Sequence, residues 1–204
     1  MQQAKSMNLH FTKSTTPVDF LPRNVANFIP LSSEKLPQIF SQLSVNPNTM
    51  EAEIIKKTIS ECEEPGIEGE EKYCATSLES MIDFSTSKLG KKVEAISTDV
   101  EKETETQAYR FVGVKKMNDE KSVVCHKQNY AYAVFYCHKT DTVRAYSVSL
   151  MGSDGTKAKA VAVCHTDTSK WNPKHLAFQV LKVKPGSVPV CHFLPEDHIV
   201  WVSY

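Results

Sequence analysis

CHKQNYAYAVFYCH, residues 125 to 138, begins and ends with the same Cys-His dipeptide. The dipeptide occurs twice more, as Cys164-His165 and Cys191-His192, so four of the six cysteines and four of the seven histidines stand in identical pairs. One isolated Cys-His dipeptide is best interpreted as a core thiol beside a half-buried imidazole, because short motifs match by chance. Four pairs, the last three at equal intervals, indicate a functional arrangement instead.

Neighbouring side chains in a β-strand point to opposite faces, so a Cys and the His after it cannot readily reach one metal ion. The spacings with which zinc fingers converge on a metal do not occur here. We therefore expect the thiols on one face, as disulfides packed in the core, and the imidazoles on the other, as a convergent metal site. The predicted ligands are His126, His138, His165 and His192. Such a cluster suits zinc, copper, iron or nickel.

The remaining histidines and the tryptophans are weaker candidates. His175 and His198 are each predicted to be a further ligand or a residue that orients a ligand. His10 is predicted to lie at the surface. Trp171 and Trp201 are more often core or edge aromatics than platforms for a substrate.

Composition excludes some classes of protein. The 24 basic and 24 acidic residues cancel, and no basic stripe supports nucleic-acid binding. No apolar run is long enough to cross a bilayer, and MQQAKSMNLHF, residues 1 to 11, lacks the apolar core of a secretory signal, which suggests a mature or trimmed fragment. Six cysteines fit up to three disulfides in an oxidising compartment, or metal ligation or catalysis in the cytosol. Composition does not choose between them.

The first part of the chain predicts an extended segment followed by helices. Prolines interrupt TPVDFLPRNVANFIPLSS, residues 16 to 33, so residues 1–31 are expected to wrap the surface. Apolar residues at helical spacing predict three helices within residues 32–90, in SSEKLPQIFSQL, NTMEAEIIKKTISEC and SLESMIDFSTSKLG, the last ended by Gly90. The acidic loop between Cys62 and Cys74 is predicted to be solvated, with a disulfide joining its ends that contributes about 3 kcal/mol.

Residues 91–204 change to the two-residue period of strands. The predicted strands are YRFVGVKKM, YAYAVFYCH, VRAYSVSLM, AKAVAVCH, AFQVLKV and HIVWVSY. The equal spacing of the last three Cys-His pairs suggests a repeat in which each unit contributes one strand pair. The fold class is therefore α+β, with N-terminal helices packed on a C-terminal, mainly antiparallel sheet or small barrel. The whole chain, 1–204, is predicted to be a single domain.

The spacing CH-x10-CH-x25-CH-x25-CH resembles the signature of the BURP-domain family of plant proteins. Three further stretches are similar to that family, at residues 20 to 30, 71 to 84 and 164 to 201. The resemblance implies a secretory, vacuolar or extracellular setting and therefore disulfides for all six cysteines. It also implies that the paired histidines, His126, His138, His165 and His192, are copper ligands and carry the catalysis. The structural cysteines would be Cys62, Cys74, Cys125, Cys137, Cys164 and Cys191.

The same resemblance implies two kinds of function. Some members of the family are copper-dependent peptide cyclases, which crosslink a Tyr or Trp side chain within a short ribosomal core peptide to give cyclic products called burpitides. Others are non-catalytic cell-wall or stress-associated modules. Fused cyclases carry repeated core peptides containing Tyr or Trp ahead of the domain, and no such repeat occurs in this chain. A cyclase of this sequence would therefore act on a separate peptide or on a segment that has been trimmed away.

Overall fold

The computed structural model describes residues 6–12, 18–117 and 121–203. Thr16, Pro17 and Tyr204, which belong to predicted segments, lie outside these ranges, as do the first five residues. The helices are α1 (Arg23–Ala26), α2 (Leu36–Gln42), α3 (Met50–Glu63), α4 (Leu78–Leu89) and α5 (Leu176–Leu181), with a 3-10 turn at Ser33–Lys35. The strands are β1 (Ser6–Leu9), β2 (Glu71–Ala75), β3 (Val93–Ile96), β4 (Asp99–Val100), β5 (Gln107–Met117), β6 (Ser122–Lys127), β7 (Phe135–Lys139), β8 (Val143–Gly152), β9 (Lys157–His165), β10 (Val190–Phe193) and β11 (Ile199–Ser203).

The ends of α3 and α4 carry residues that cap these two helices, whereas α2 begins without a side-chain cap. Thr49 accepts a hydrogen bond from the Ala52 N–H at the start of α3. Ser77 and Ser80 bond reciprocally at the start of α4, and Gly90 ends that helix with a φ of 90°, which glycine adopts without strain. Within the described part of the chain, no helix is long and apolar enough to cross a membrane.

The described strands form two antiparallel sheets. A six-stranded sheet has the order β1-β5-β8-β9-β10, with β4 also paired to β9, and a five-stranded sheet has the order β2-β7-β6-β11-β3. The predicted α+β class is confirmed. The described strands follow the open-sheet form of the prediction, in two sheets, and do not close into the small barrel that was its alternative.

The two sheets pack face to face around an apolar layer. Its buried residues are Met117, Val124, Val143, Ala145, Val161, Val163, Leu194, Val200 and Val202. Helix α4 covers the outer face of the five-stranded sheet, where Met81 packs with Trp201. Helices α2 and α3 form a separate apolar cluster with Tyr130, Tyr132 and Val134. The fold is therefore layered. The candidate site lies at the seam, the region where the two sheets face each other.

Of the six predicted strands, four match β5, β8, β9 and β11, one is partly wrong and one is wholly wrong. AFQVLKV forms α5, because the His175 side chain accepts a hydrogen bond from the Ala177 N–H and so caps a helical turn, which ends at Lys182 with a φ of 55°. In YAYAVFYCH, residues 130 to 138, the strand begins only at Phe135, and it continues to Lys139. The short strands β1, β2, β3, β4, β6 and β10 were missed. The N-terminal segment also contains α1, so it is not extended throughout.

The predicted repeat is wrong as a structural unit. Cys137 lies in the five-stranded sheet, whereas Cys164 and Cys191 lie on adjacent strands of the six-stranded sheet. The two equal intervals therefore span different connections, one crossing between sheets and one returning to a neighbouring strand. The expected outcome, that the Cys-His ends meet in one region, nevertheless holds because the two sheets face each other.

Candidate metal centre

Strand register brings the first two histidines together. Cys125 of β6 stands directly opposite Cys137 of β7, and a disulfide joins them with a Cα–Cα distance of 3.9 Å. His126 and His138 follow these cysteines on antiparallel strands, so they are diagonal neighbours on the other face of the sheet. Their rings stack with centroids 5.3 Å apart.

The same geometry recurs in the six-stranded sheet. Cys164 of β9 stands opposite Cys191 of β10, and a disulfide joins them with a Cα–Cα distance of 4.0 Å. His165 and His192 are again diagonal neighbours on the other face, with ring centroids 5.7 Å apart. The predicted separation of thiols and imidazoles between the two faces is therefore found in both sheets.

The two histidine pairs face each other across the seam. The ring centroid of His126 lies 6.3 Å from that of His192, and the centroid of His138 lies 6.4 Å from that of His165. His198, just before β11, adds a fifth ring, 5.0 Å from His126. All four predicted ligands and one of the two secondary candidates thus form a single cluster, which we call the histidine cluster.

Short nitrogen contacts link part of the histidine cluster. His126 Nε2 lies 3.2 Å from His138 Nε2, and His126 Nδ1 lies 3.0 Å from His198 Nδ1. Each contact needs one N–H and one lone pair, which a neutral imidazole supplies on its two nitrogens. Three neutral rings therefore satisfy both contacts, with His126 donating one hydrogen bond and accepting the other.

Burial favours the neutral imidazole at four of the five rings, those of His126, His165, His192 and His198. It lowers the pKa of His126 well below the usual value, with a further contribution from the neighbouring histidines. Burial also lowers the pKa of His165 to about 4, and it lowers the pKa values of His192 and His198. A neutral imidazole is the form that binds a metal, so these four donors are ready to bind one near neutral pH.

Sequence reasoning missed Glu70 and Tyr136. Glu70 Oε1 lies 2.9 Å from His138 Nδ1, and both side chains are about nine-tenths buried. Tyr136 stands opposite His126 in the strand register, and its ring lies 5.7 Å from that of His138. Burial and the nearby Glu70 carboxylate raise the pKa of the Tyr136 phenol. Glu70 lies in the loop between Cys62 and Cys74. The disulfide predicted between these two cysteines was the sequence feature that indicated a fixed position for this loop.

A cleft of about 400 Å³ opens beside the histidine cluster, and His138, His165 and Glu70 line its inner wall. Trp171 also lines the cleft, with its ring 4.7 Å from both His165 and His175. His175, the other secondary candidate, therefore belongs to the cleft wall and caps α5. Trp171 is half-buried at the cleft, whereas Trp201 is a core aromatic and His10 is exposed, as predicted.

All six cysteines form disulfides, and the predicted Cys62–Cys74 bridge is present. The prediction that the paired cysteines pack in the core is correct for Cys125 and Cys137, which are fully buried. It is wrong for the other bridge, because Cys164 is half-buried and Cys191 is exposed. That bridge lies on the outer face of the six-stranded sheet, which no helix covers among the described residues, and it lines an apolar groove with Phe193.

The donor set of the histidine cluster fits a metal such as copper by its chemistry. Its members are imidazole nitrogen donors, four of them on strands and one directly before a strand, and the thiols that would reduce copper are bridged. The ring centroids are 5.0 to 6.4 Å apart, roughly the spacing of imidazoles that share an ion at metal–nitrogen distances of about 2 Å. In the described residues, however, no three His, Cys, Asp or Glu side chains are already arranged to hold an ion. Binding therefore requires some of these rings to rotate.

Comparison with known proteins finds a family model, the BURP domain, that matches residues 1–203. The chain is 56% identical over 209 residues to BURP domain protein RD22 of Arabidopsis thaliana, covering 99% of this chain and 53% of that protein. It is 54% identical to BURP domain-containing protein 3 of Oryza sativa subsp. japonica, covering 98% of this chain and 48% of the relative. It is 37% identical to Protein RAFTIN 1B of Triticum aestivum, covering 98% and 56%. The chain thus spans about half the length of these relatives.

Proposed function

The chain belongs to the BURP domain family, and from that premise we propose that it is a copper-dependent oxidative peptide cyclase. The observation that carries the proposal is the histidine cluster, five imidazoles that meet across the seam of two sheets beside an open cleft. The bridged cysteines offer no thiolate for acyl transfer, which disfavours a thiol hydrolase. We further propose that the protein works in the secretory pathway, the vacuole or the cell wall, where its disulfides persist.

His126, His138, His165 and His192 would hold the metal, with His198 as a further donor. Copper, when bound, supplies the one-electron redox chemistry that couples a phenol or indole to a carbon or nitrogen of the same peptide. The coupling removes two hydrogen atoms from the peptide as two electrons and two protons, and one dioxygen would take up the two electrons and the two protons to give hydrogen peroxide. The strands supply the rigidity that holds the imidazoles in place while substrate enters.

The cleft supplies binding and orientation. Its volume lies within the roughly 300 to 1,000 Å³ that ligand sites usually have, so it accepts one aromatic side chain of a peptide. Trp171 offers a ring face beside His165, against which a Tyr or Trp of the substrate can stack. Holding this side chain against the histidine cluster brings the reacting atoms into contact, which is the condition for selective coupling.

The alternative is a non-catalytic cell-wall or stress-associated module. The specific observation in its favour is that no three candidate ligands in the described residues are yet arranged around one point. The hydrogen bonds among His126, His138 and His198 would then be structural. The two functions differ in what happens when copper and a peptide are supplied.

The test is incubation of the oxidised domain with copper, dioxygen and peptides that contain Tyr or Trp, supplied fused and separately. We expect a mass loss of about 2 Da in the peptide, only with copper, and its disappearance in His126→Ala and His192→Ala. His10→Ala is the matched control, because His10 is exposed and outside the histidine cluster. If a copper-loaded domain leaves every peptide unchanged, the non-catalytic alternative replaces the proposal.

A further inference from the structure

One carboxylate of the acidic Cys62–Cys74 loop differs from the others. The side chains of Glu68 and Glu71 are 79% and 51% exposed, and both pair with surface lysines. The Glu70 side chain is only 10% exposed, and it points to the histidine cluster. The loop, predicted to be merely solvated, therefore delivers one buried charge to the site.

The loop is built to hold that carboxylate in place. Glu70 Oε2 accepts a hydrogen bond from the Ile67 N–H at 3.2 Å, and the Tyr136 hydroxyl lies 3.5 Å from the same oxygen. A Cβ at Gly66 would lie 3.2 Å from Oε2, so glycine there gives the carboxylate room. Gly69 turns the chain at a φ of 83°, and the Cys62–Cys74 disulfide closes the loop behind it.

These contacts involve Oε2, whereas Oε1 faces His138. At 2.9 Å from Oε1, His138 Nδ1 makes no hydrogen bond of regular geometry. A lone pair on that nitrogen would nevertheless repel the carboxylate oxygen, so the contact favours a proton on Nδ1. We propose that Glu70 is a positioning residue that holds the Nδ1–H tautomer of His138 and so directs the Nε2 lone pair into the histidine cluster. A carboxylate in this position is a common partner of metal-binding histidines, since it orients the ring and strengthens the donor nitrogen.

The fixed tautomer propagates to the neighbouring rings. With a lone pair on His138 Nε2, the contact at 3.2 Å is satisfied when His126 Nε2 carries the proton. His126 Nδ1 then accepts from the Nδ1–H of His198 at 3.0 Å. In the metal-free protein one carboxylate therefore sets the direction of the hydrogen bonds in three histidines.

The first test is the ring ¹⁵N–¹H correlation spectrum of metal-free, oxidised protein, which assigns each histidine tautomer. We expect the Nδ1–H form of His138 in the natural sequence and a mixture of both forms in Glu70→Ala. Glu70→Gln keeps the shape but has one acceptor oxygen, so it cannot accept from both Ile67 and His138. The Glu70→Gln spectrum should lie between those of the natural sequence and Glu70→Ala. The comparison separates the effect of losing a carboxylate oxygen from the effect of losing the packing of the side chain.

The second test is copper affinity, measured by competition with a chelator. We expect roughly 10- to 100-fold weaker binding in Glu70→Ala. Glu68→Ala is the matched control, because it removes the same charge from the same loop and should change affinity by less than about twofold. Unfolding midpoints and disulfide content should confirm that the variants are folded.

A natural His138 tautomer in Glu70→Ala would overturn the inference, as would equal affinity losses in the Glu68 and Glu70 variants. The inference rests on the proposed function only for the affinity measurement. If the natural protein binds no copper, the proposed function fails, while the tautomer spectrum still decides the role of Glu70.

Discussion

The Cys125–Cys137 and Cys164–Cys191 bridges join directly opposite residues of antiparallel strands, but one is buried and the other reaches the surface. Helix α4 and the core cover the first bridge, whereas the second lines an open groove on the outer face of the other sheet. Both place two histidines diagonally on the reverse face. The comparison teaches that this placement depends on register alone, and that burial adds stability without being needed to bring the rings together.

The largest expected difference is in the rate of reduction. Cys191 is exposed, so a small thiol reaches the Cys164–Cys191 bridge in the native state, whereas the fully buried Cys125–Cys137 bridge reacts only when the sheet opens. An opening free energy of about 3 kcal/mol already slows the reaction about 100-fold. Timed alkylation and peptide mass mapping under mild reductant should show the exposed pair labelled first. Equal labelling rates would mean that burial does not separate the two bridges.

The next effect is on stability. Chain entropy favours the longer loop, since sequence separations of 27 and 12 residues differ by about 0.7 kcal/mol. Packing acts the other way and is larger, because removing two fully buried sulfurs costs about 2 to 4 kcal/mol. We therefore expect the Cys125→Ala/Cys137→Ala protein to be about 2 kcal/mol less stable than Cys164→Ala/Cys191→Ala in urea unfolding.

The Cys62–Cys74 bridge provides the matched control for that measurement. Its separation is also 12 residues, but both cysteines are only half-buried. Its removal should cost about 3 kcal/mol, the loop term without the cavity. If removing this bridge were as costly as removing Cys125–Cys137, packing would not explain the difference between the two sheets.

The smallest effect is on pH dependence in the absence of metal. Burial lowers the folded-state pKa of His126, His165, His192 and His198 below the usual 6.5, so the unfolded chain binds protons first as pH falls. The free energy of unfolding is therefore highest above pH 6.5 and decreases towards pH 4. The slope is about 1.4 kcal/mol per pH unit for each extra proton bound on unfolding.

Single-residue variants show how much a histidine of each sheet contributes to this pH dependence of the free energy of unfolding. His126→Asn should flatten it more than His192→Asn, because the pKa of the half-buried His126 is lowered further than that of the more exposed His192. His10→Asn is the control, since His10 is exposed and does not belong to the histidine cluster. Urea unfolding with a chelator present, at several pH values between 4 and 7.5, measures all four proteins. Equal flattening by His126→Asn and His192→Asn would contradict the difference in burial.

Much of the fold follows from local patterns in the sequence. Apolar side chains at helical spacing predicted α2, α3 and α4, and Gly90 predicted where α4 ends. The alternation of side chains along strands also predicted that cysteines and histidines take opposite faces. These inferences succeed because they depend on neighbours in the chain.

The features that the sequence did not predict depend on contacts between residues far apart in the chain. Strand β2 reads as an acidic loop, and it becomes a strand because it pairs with β7, more than 60 residues later. The position of Glu70 follows from that pairing and from Tyr136, neither of which leaves a local mark. The period of AFQVLKV fits a strand or a short helix, and the hydrogen bond from the Ala177 N–H to the His175 side chain decides for the helix.

The placement of a disulfide on one face of two paired strands and of two histidines on the other face can also be used in protein engineering. Writing Cys-His on both strands of any antiparallel hairpin, with the cysteines directly opposite, locks the alignment covalently and sets two imidazoles on the reverse side. A shift of the strand register by one residue would separate the thiols and move every side chain to the opposite face. Formation of the disulfide therefore shows that the hairpin has the intended register. Two such hairpins placed face to face supply four imidazoles from eight residues, with all other positions left free for the designer to choose.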